Sequence, residues 1–346
     1  MTKKIWMSLC LLLALLLTGC GGGMNLSDRA IVKLIYITKE EKQYQAGVVV
    51  YTCDASADTG EAVGQSQWYT GSGKTIGGAL DAAAESQNKK PFYAQNEILL
   101  ISEDARDDVG EILTWFAREE GSRPNMAVFL CEKLEDKKDE EWKETVEGIE
   151  GVLRNTEQTF SYAVMLYQIH LDKDDGLTGA IPVLKENEGK VSVPELQLYL
   201  RGEPCGTLEQ EEMKTALTLQ NRVIRWRLEA EDEKIGPYEC DLTNVSRRYE
   251  TSVQPDGGAC VTLIVHGSIR DVTTPRTLDK TDKARLVDTL EKELAARAEK
   301  VMKKTYQENG IDLFGIEWHQ KQQTSVKEAE EKGPASPAVR FELELL

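Results

Sequence analysis

The sequence predicts an α+β fold: a multi-lobed arrangement of mixed sheets with packed helices, its C-terminal domain an antiparallel sheet with one long helix. Three observations carry this. Between Ile31 and Leu130, β-branched runs alternate with helical patterns. After Gly202 the pattern changes to long strands with little helix between them. From about Thr281 to Gln307, apolar residues recur at helical spacing over a longer stretch than anywhere else.

Ile31 to Ile37 and Ala46 to Thr52 are β-branched runs separated by the polar turn Lys39-Glu40-Glu41-Lys42, which predicts a hairpin. Ala62 to Thr70 reads as a further strand ending in Gly71-Ser72-Gly73. A helix follows, capped by Thr75, with Ile76, Ala79, Leu80 and Ala83 on one face. Phe92 to Ile101 reads as a strand. Its end, Ile98-Leu99-Leu100-Ile101, is too uniformly apolar for a half-exposed strand and is expected to be central. Asp107 to Ala117 predicts a second helix through Val109, Ile112, Leu113 and Phe116, and Met126 to Leu130 another buried strand.

Glu132 to Glu150 is heavily charged with few large apolar residues, which predicts an exposed helix joining two lobes. Ser161 to Ile169 fits a helix or a strand. Leu177 to Leu184 and Val191 to Leu200 look extended, the second broken at Pro194. Leu208 to Gln220 reads as a short helix, followed by strands at Arg222–Ala230, Tyr238–Val253 and Cys260–Ile269. The long helix then carries Val287, Leu290, Leu294 and Val301 in one stripe, leaves Glu291, Lys292, Glu293, Lys300 and Lys303 to solvent, and stops at Asn309-Gly310. Val339 to Leu345 alternates and predicts a final strand with one buried face.

The chain begins Met1-Thr2-Lys3-Lys4, continues with an apolar run from Ile5 to Leu17, and reaches Leu17-Thr18-Gly19-Cys20. Two lysines, a short apolar segment and small residues make the three-part plan of an export signal. At about 13 residues the run is shorter than the roughly 20 a spanning helix needs. The last four residues match a bacterial lipobox. Cleavage is expected between Gly19 and Cys20, and the Cys20 thiol is the nucleophile that takes a diacylglyceryl group. This gives a signal peptide at 1–19, a lipidated linker at 20–27, an N-terminal mixed α/β region at 28–201 with a break near 132–160, and a C-terminal α+β domain at 202–346.

The formal net charge of −17 becomes −19 once Lys3 and Lys4 are removed. Such a body repels nucleic acid and anionic lipid head groups, so attachment has to come from acyl chains. Cys53, Cys131, Cys205, Cys240 and Cys260 show no zinc or redox spacing; both a Cys240–Cys260 disulfide and buried free thiols are open.

Gly71-Ser72-Gly73-Lys74-Thr75 ends like a phosphate-binding loop, but Trp68 stands where that loop needs its first glycine, so no nucleotide is expected. His170, His266 and His319 lack ligand spacing, and no nucleophile elbow or zinc-protease helix motif occurs. No catalytic residue, no metal and no cofactor are expected beyond the covalent diacylglycerol on Cys20.

Several stretches together resemble the Ger(x)C family, the C-subunit lipoproteins of spore germination receptors. They are Asp28-Arg29-Ala30-Ile31-Val32 close behind the lipobox, Gly73-Lys74-Thr75-Ile76 leading to Ala79-Leu80-Asp81, and Gln95-Asn96-Glu97 before Ile98-Leu99-Leu100-Ile101. Trp115-Phe116-Ala117-Arg118-Glu119 with Arg123-Pro124, Gly179-Ala180-Ile181-Pro182, Gly206-Thr207-Leu208 and Gly310-Ile311-Asp312-Leu313-Phe314-Gly315 follow in family order. At Gln95 the family often has histidine, and Gln320 to Pro337 is more polar than its counterpart.

The resemblance implies a non-enzymatic, lipid-anchored subunit of a nutrient germinant receptor. It would sit on the outer face of the inner spore membrane beside two membrane-embedded partners, the A and B subunits. Arg118 and Arg123 are the candidates for a structural or interface role. The competing reading is a lipoprotein solute-binding protein of a membrane transporter, which would show parallel βαβ repeats in each lobe.

Overall fold

The computed structural model describes residues 29–53, 64–85, 90–119, 121–134, 139–155, 159–169, 171–172, 176–187, 190–253, 259–275, 277–323 and 336–346. The signal peptide, Gly19 and Cys20 lie outside the described residues.

Strands β1 (Arg29–Glu40) and β2 (Gln43–Cys53) form the predicted hairpin, turned at Glu41, whose φ is 54°. β3 (Gly64–Gly73) pairs with β2, and helix α1 (Ile76–Glu85) then buries Ile76, Ala79, Leu80 and Ala83, the four residues on the predicted face. The glycines of the loop-like motif serve this packing. A Cβ on Gly71 would sit 2.1 Å from the Ala83 nitrogen, and one on Gly73 2.5 Å from the Ala79 nitrogen. Thr75 caps the helix, its Oγ1 accepting from the Gly78 N–H at 3.1 Å.

The single strand predicted at 92–101 is two. β4 (Lys90–Phe92) and β5 (Ile98–Ser102) both run parallel to β1, with a 3-10 turn at Tyr93–Gln95 between them. Helix α2 (Val109–Arg118) and strand β6 (Ala127–Cys131) follow as predicted. β5 and β6 are buried throughout because both faces of the sheet are covered there.

Helix α3 (Asp139–Asn155) corrects the expectation of an exposed linker and of a break near 132–160. Trp142, Val146 and Ile149 are buried in one core with Tyr36, Leu34 and Phe129. Its charge count hid an apolar stripe at spacings of three and four. The segment at 161–169 resolves into the two-residue strand β7 (Val164–Met165) and a 3-10 turn. β8 (Leu171–Asp172) and β9 (Gly176–Leu177) form a small pair, and β10 (Gly179–Asn187) and β11 (Lys190–Leu200) a hairpin. The register shifts between Val183 and Lys185, opposite Pro194, whose missing N–H is tolerated at such a bulge.

Residues 203–209, partly read as helix, are strand β12 (Glu203–Glu209), and helix α4 (Gln210–Leu219) starts after them. β12 pairs with β11, so the first sheet continues past the boundary expected at 201/202. Its order is β12-β11-β10-β6-β5-β1-β2-β3, with α1 and α2 sharing one core and α3 the other.

The second sheet contains β13 (Arg225–Asp232), β14 (Gly236–Val253), β15 (Ala259–Thr273) and β16 (Ser336–Leu345) in that order. The first three are antiparallel, but β16 runs parallel to β15 because a helical connection returns the chain to the same end. Most of that connection is helix α5 (Lys280–Met302), whose Asp279 and Asp282 make a capping box and whose last turn runs on to Glu308. Leu286, rather than Val287, joins Leu290, Leu294 and Val301 in the buried stripe. Glu291 is not left to solvent alone, since it accepts from the Leu343 N–H at 2.7 Å. Helix α6 (Ile316–Gln323) is capped by Asp312, which accepts from the N–H groups of Ile316 at 2.9 Å and Glu317 at 2.8 Å.

The core of the second sheet is continuous with the α3 face of the first through α4, which buries Met213, Ala216, Leu217 and Leu219. Met213, Leu217 and Leu219 each contribute about 1.5–3 kcal/mol on burial. Cys205, Cys240 and Cys260 are free thiols. Cys260 pairs with Ser252 while Cys240 lies beside Glu239, the partner of Thr273, so the ladder separates the two by about 40 Å. That distance excludes a disulfide.

Candidate functional site

Helix α2 reaches its site role through its spacing. Val109, Ile112, Leu113 and Phe116 bury one face, which leaves Glu111, Thr114, Trp115 and Arg118 along the other. Against that exposed side lies an open cleft of about 870 Å³. Its far wall is the turn Arg201-Gly202, which joins β11 to β12 with φ values of 54° and 86°. Two successive positive φ angles make the two-residue turn that matches the twist of a hairpin. The turn is held by the Gly202 N–H, which donates to the Leu177 carbonyl at 2.8 Å, and by the Arg201 N–H, which donates to Thr178 at 3.2 Å. Gly110 of α2 faces the turn: a Cβ there would lie in ordinary contact, 3.6 Å from Leu177 and 3.8 Å from Gly202.

Carboxylates dominate the walls. Asp107, Asp108, Glu111, Glu119 and Glu203 face the cleft, against Arg118 and Arg201. Asp108 is neutralised by Lys39, 2.6 Å away. Burial raises the Tyr44 hydroxyl well above its ordinary range, and the charges of Asp108 and Glu111 push it further. The same holds at Tyr93, where burial acts together with Asp81 and Glu119. The cleft is therefore a mainly negative groove in which Arg118 and Arg201 are the two cations on the walls.

The two arginines singled out in the sequence are not brought together. Arg118 is exposed at the end of α2 and lines the cleft. Arg123 faces the ends of β5 and β6, where its Nη1 lies 3.7 Å from Glu97 and its Nε donates to Asn125 at 2.7 Å. Lys33 meets the same Glu97 carboxylate at 2.6 Å. Gln95 is exposed in the 3-10 turn before β5.

The two described histidines sit on opposite faces of the second sheet. His266 accepts from Arg248 at 2.9 Å and its Nδ1 faces Glu342 at 3.2 Å. His319 stacks on Tyr249 with centroids 3.6 Å apart. Among the described residues no group of three or more His, Cys, Asp or Glu could hold a metal ion. Sequence reasoning missed the cleft carboxylates. The spacing of Glu111, Trp115 and Arg118 on one helix face was a usable signal, but the opposing Arg201 and Glu203 are nearly a hundred residues away and carried none.

Comparison with known proteins covers the chain in two pieces. The family model described as spore germination protein N-terminal domain matches residues 22–186. The model described as spore germination B3/GerAC like, C-terminal, matches residues 199–335. No curated protein matches. The fold is similar to one solved as "Crystal Structure of the GerBC protein", with a TM-score of 0.50 and 14% identity, over 89% of this chain and 96% of that one. Two adjoining models that follow one another in family order, and a matching fold over the same length, meet the expectation raised by the motifs: the chain belongs to the GerAC-like family of spore germination proteins.

Proposed function

We propose that this protein is the lipid-anchored, non-catalytic subunit of a nutrient germinant receptor. It is held by diacylglycerol on Cys20 at the outer face of the inner spore membrane, where it binds the membrane-embedded A and B subunits. The observation that carries this is the lipobox Leu17-Thr18-Gly19-Cys20 standing directly ahead of a chain matched by both germination-family models. Among the described residues no helix is long and apolar enough to cross a membrane, so on this reading the acyl chains supply the attachment. From Cys20 to Arg29, where β1 begins, the chain can span at most about 30 Å. The end of the first sheet that carries Arg29 would then face the bilayer, with Arg123 and Glu97 at the same end and the acidic cleft open to a partner.

Replacing Cys20 by Ala tests the reading in spores. The expected result is loss of the protein from the inner-membrane fraction and a blunted response to one nutrient set, with sporulation unchanged. Unaltered fractionation would overturn the anchor. Normal germination together with a growth defect on one solute would favour a transporter role instead.

A further inference from the structure

A second pocket lies where the two sheets meet and belongs to neither alone. It is about 300 Å³ in volume, the lower end of what small-molecule sites occupy. Gly179 and Ala180 of β10 and Leu196 of β11 come from the first sheet, Arg247 of β14 from the second, and Gln220 and Arg222 from the segment after α4.

Two guanidinium groups face this space. Arg222 is half-buried and donates to the Ala163 carbonyl. Burial draws its pKa down to about 10. Arg247 is exposed, donates to the Leu219 carbonyl at 3.1 Å and lies over the Tyr249 ring. Among the described residues neither arginine forms an ion pair with a carboxylate. The chain has 59 acidic residues to 42 basic ones, so carboxylates are not scarce. The one carboxylate lining the pocket, Asp312, accepts from the N–H groups of Phe314, Ile316 and Glu317 at 3.2, 2.9 and 2.8 Å and so is committed to the start of α6. A half-buried cation without a counter-ion is stabilised when an anion supplies the opposite charge.

A third group adds a requirement of opposite kind. The Gln220 amide nitrogen donates to the Leu313 carbonyl at 3.3 Å, which fixes the amide, while its Oε1 is buried without a partner. A buried acceptor left unmade costs about 1–3 kcal/mol.

We propose that this inter-sheet pocket binds a small oxyanion, carboxylate or phosphate, that carries a hydrogen-bond donor of its own: Arg222 and Arg247 take the anionic oxygens, and Gln220 Oε1 takes the donor. Guanidinium groups suit either anion, because their planar N–H pairs match both carboxylate and phosphate oxygens. Because the walls come from both sheets, an occupant also ties the two halves of the molecule together.

The test uses the full-length protein in detergent, titrated with hydrogen phosphate, sulfate, lactate and propionate at constant ionic strength, and followed by calorimetry and by the unfolding midpoint. Saturable 1:1 binding of hydrogen phosphate or of lactate is expected, each above its donor-free counterpart, and whichever of the two binds tighter identifies the class. Arg247→Gln should weaken that binding by about tenfold or more. Gln220→Met leaves both guanidinium groups and should erase the preference for the donor-bearing anion, which keeps the proposal testable if Arg222 variants do not fold. No saturable binding of any of the four, equal affinity in folded Arg247→Gln, or equal binding of sulfate and hydrogen phosphate would overturn it.

Discussion

The indole of Trp142 on α3 stacks on that of Trp68 on β3, with ring centroids 3.7 Å apart and planes 15° from parallel. Tyr36 of β1 leans on both, at 6.3 Å from Trp68 and 6.0 Å from Trp142. Gly47 makes the stack possible, because a Cβ there would fall 2.0 Å from the Trp68 ring. A helix with eight charged residues in seventeen is thus fastened to the sheet by Trp142, through its contacts with Trp68 and Tyr36, and by Val146 and Ile149.

Trp142→Ala should therefore destabilise the protein by about 3–5 kcal/mol in urea unfolding, with Trp142→Phe losing markedly less. A loss below about 1 kcal/mol would mean that α3 is not seated on the sheet.

Two glycine substitutions should act in opposite directions. Gly71→Ala drives a methyl group into the backbone of α1 and is expected to cost about 1–3 kcal/mol or more. Gly151→Ala lies inside α3 with nothing within 4 Å of the added carbon, and should stabilise by about 0.5–1 kcal/mol. Thermal unfolding of both variants checks the pair. Equal effects would remove the close-approach explanation of the Gly71-Ser72-Gly73 motif.

Asp241 is buried on β14 and accepts from Arg225 Nε at 2.7 Å and Arg227 Nε at 3.1 Å. Burial alone would raise its pKa, but the hydrogen bonds and charges of Arg227 and Arg225 outweigh it and hold the carboxyl below its usual range. A depressed folded-state pKa gives stability that is fully present above the unfolded value of about 3.9 and is lost as pH falls through the folded value. Asp241→Asn should lower stability at pH 7 and change it little near pH 2, so that the acid limb of the stability profile becomes shallower than in the wild type. A parallel displacement of the two profiles would contradict this.

Arg118→Glu tests the cleft as a docking surface. The side chain is exposed at the end of α2, so the unfolding free energy should stay within about 0.5 kcal/mol of wild type. Co-purification with the membrane-embedded partners, and germination with it, should fall. Retained co-purification and germination would place the partner surface elsewhere.

Local elements were legible wherever one period dominated. The buried face of α1, the apolar stripe of α2, the uniformly apolar β5 and β6 and the existence of the long helix α5 all follow from residue order, because spacing alone decides which side chains share a face. Elements failed to be legible where composition and period disagreed. Trp142, Val146 and Ile149 were outnumbered by charges, and Leu208 was drawn into a helix although its true neighbour is Leu196 on the adjacent strand.

Residue order alone was enough to read the family and the α+β class, since each rests on residue types in a fixed order. Only the tertiary structure decided the sheet order, the parallel pairing of β16 with β15, the far wall that Arg201 and Glu203 give the cleft, and the meeting of Arg222 with Arg247 between the sheets. Those contacts join residues far apart in the chain, and their energies come from desolvation and packing that exist only once both sheets have formed. Spacing along a single chain carries no trace of them.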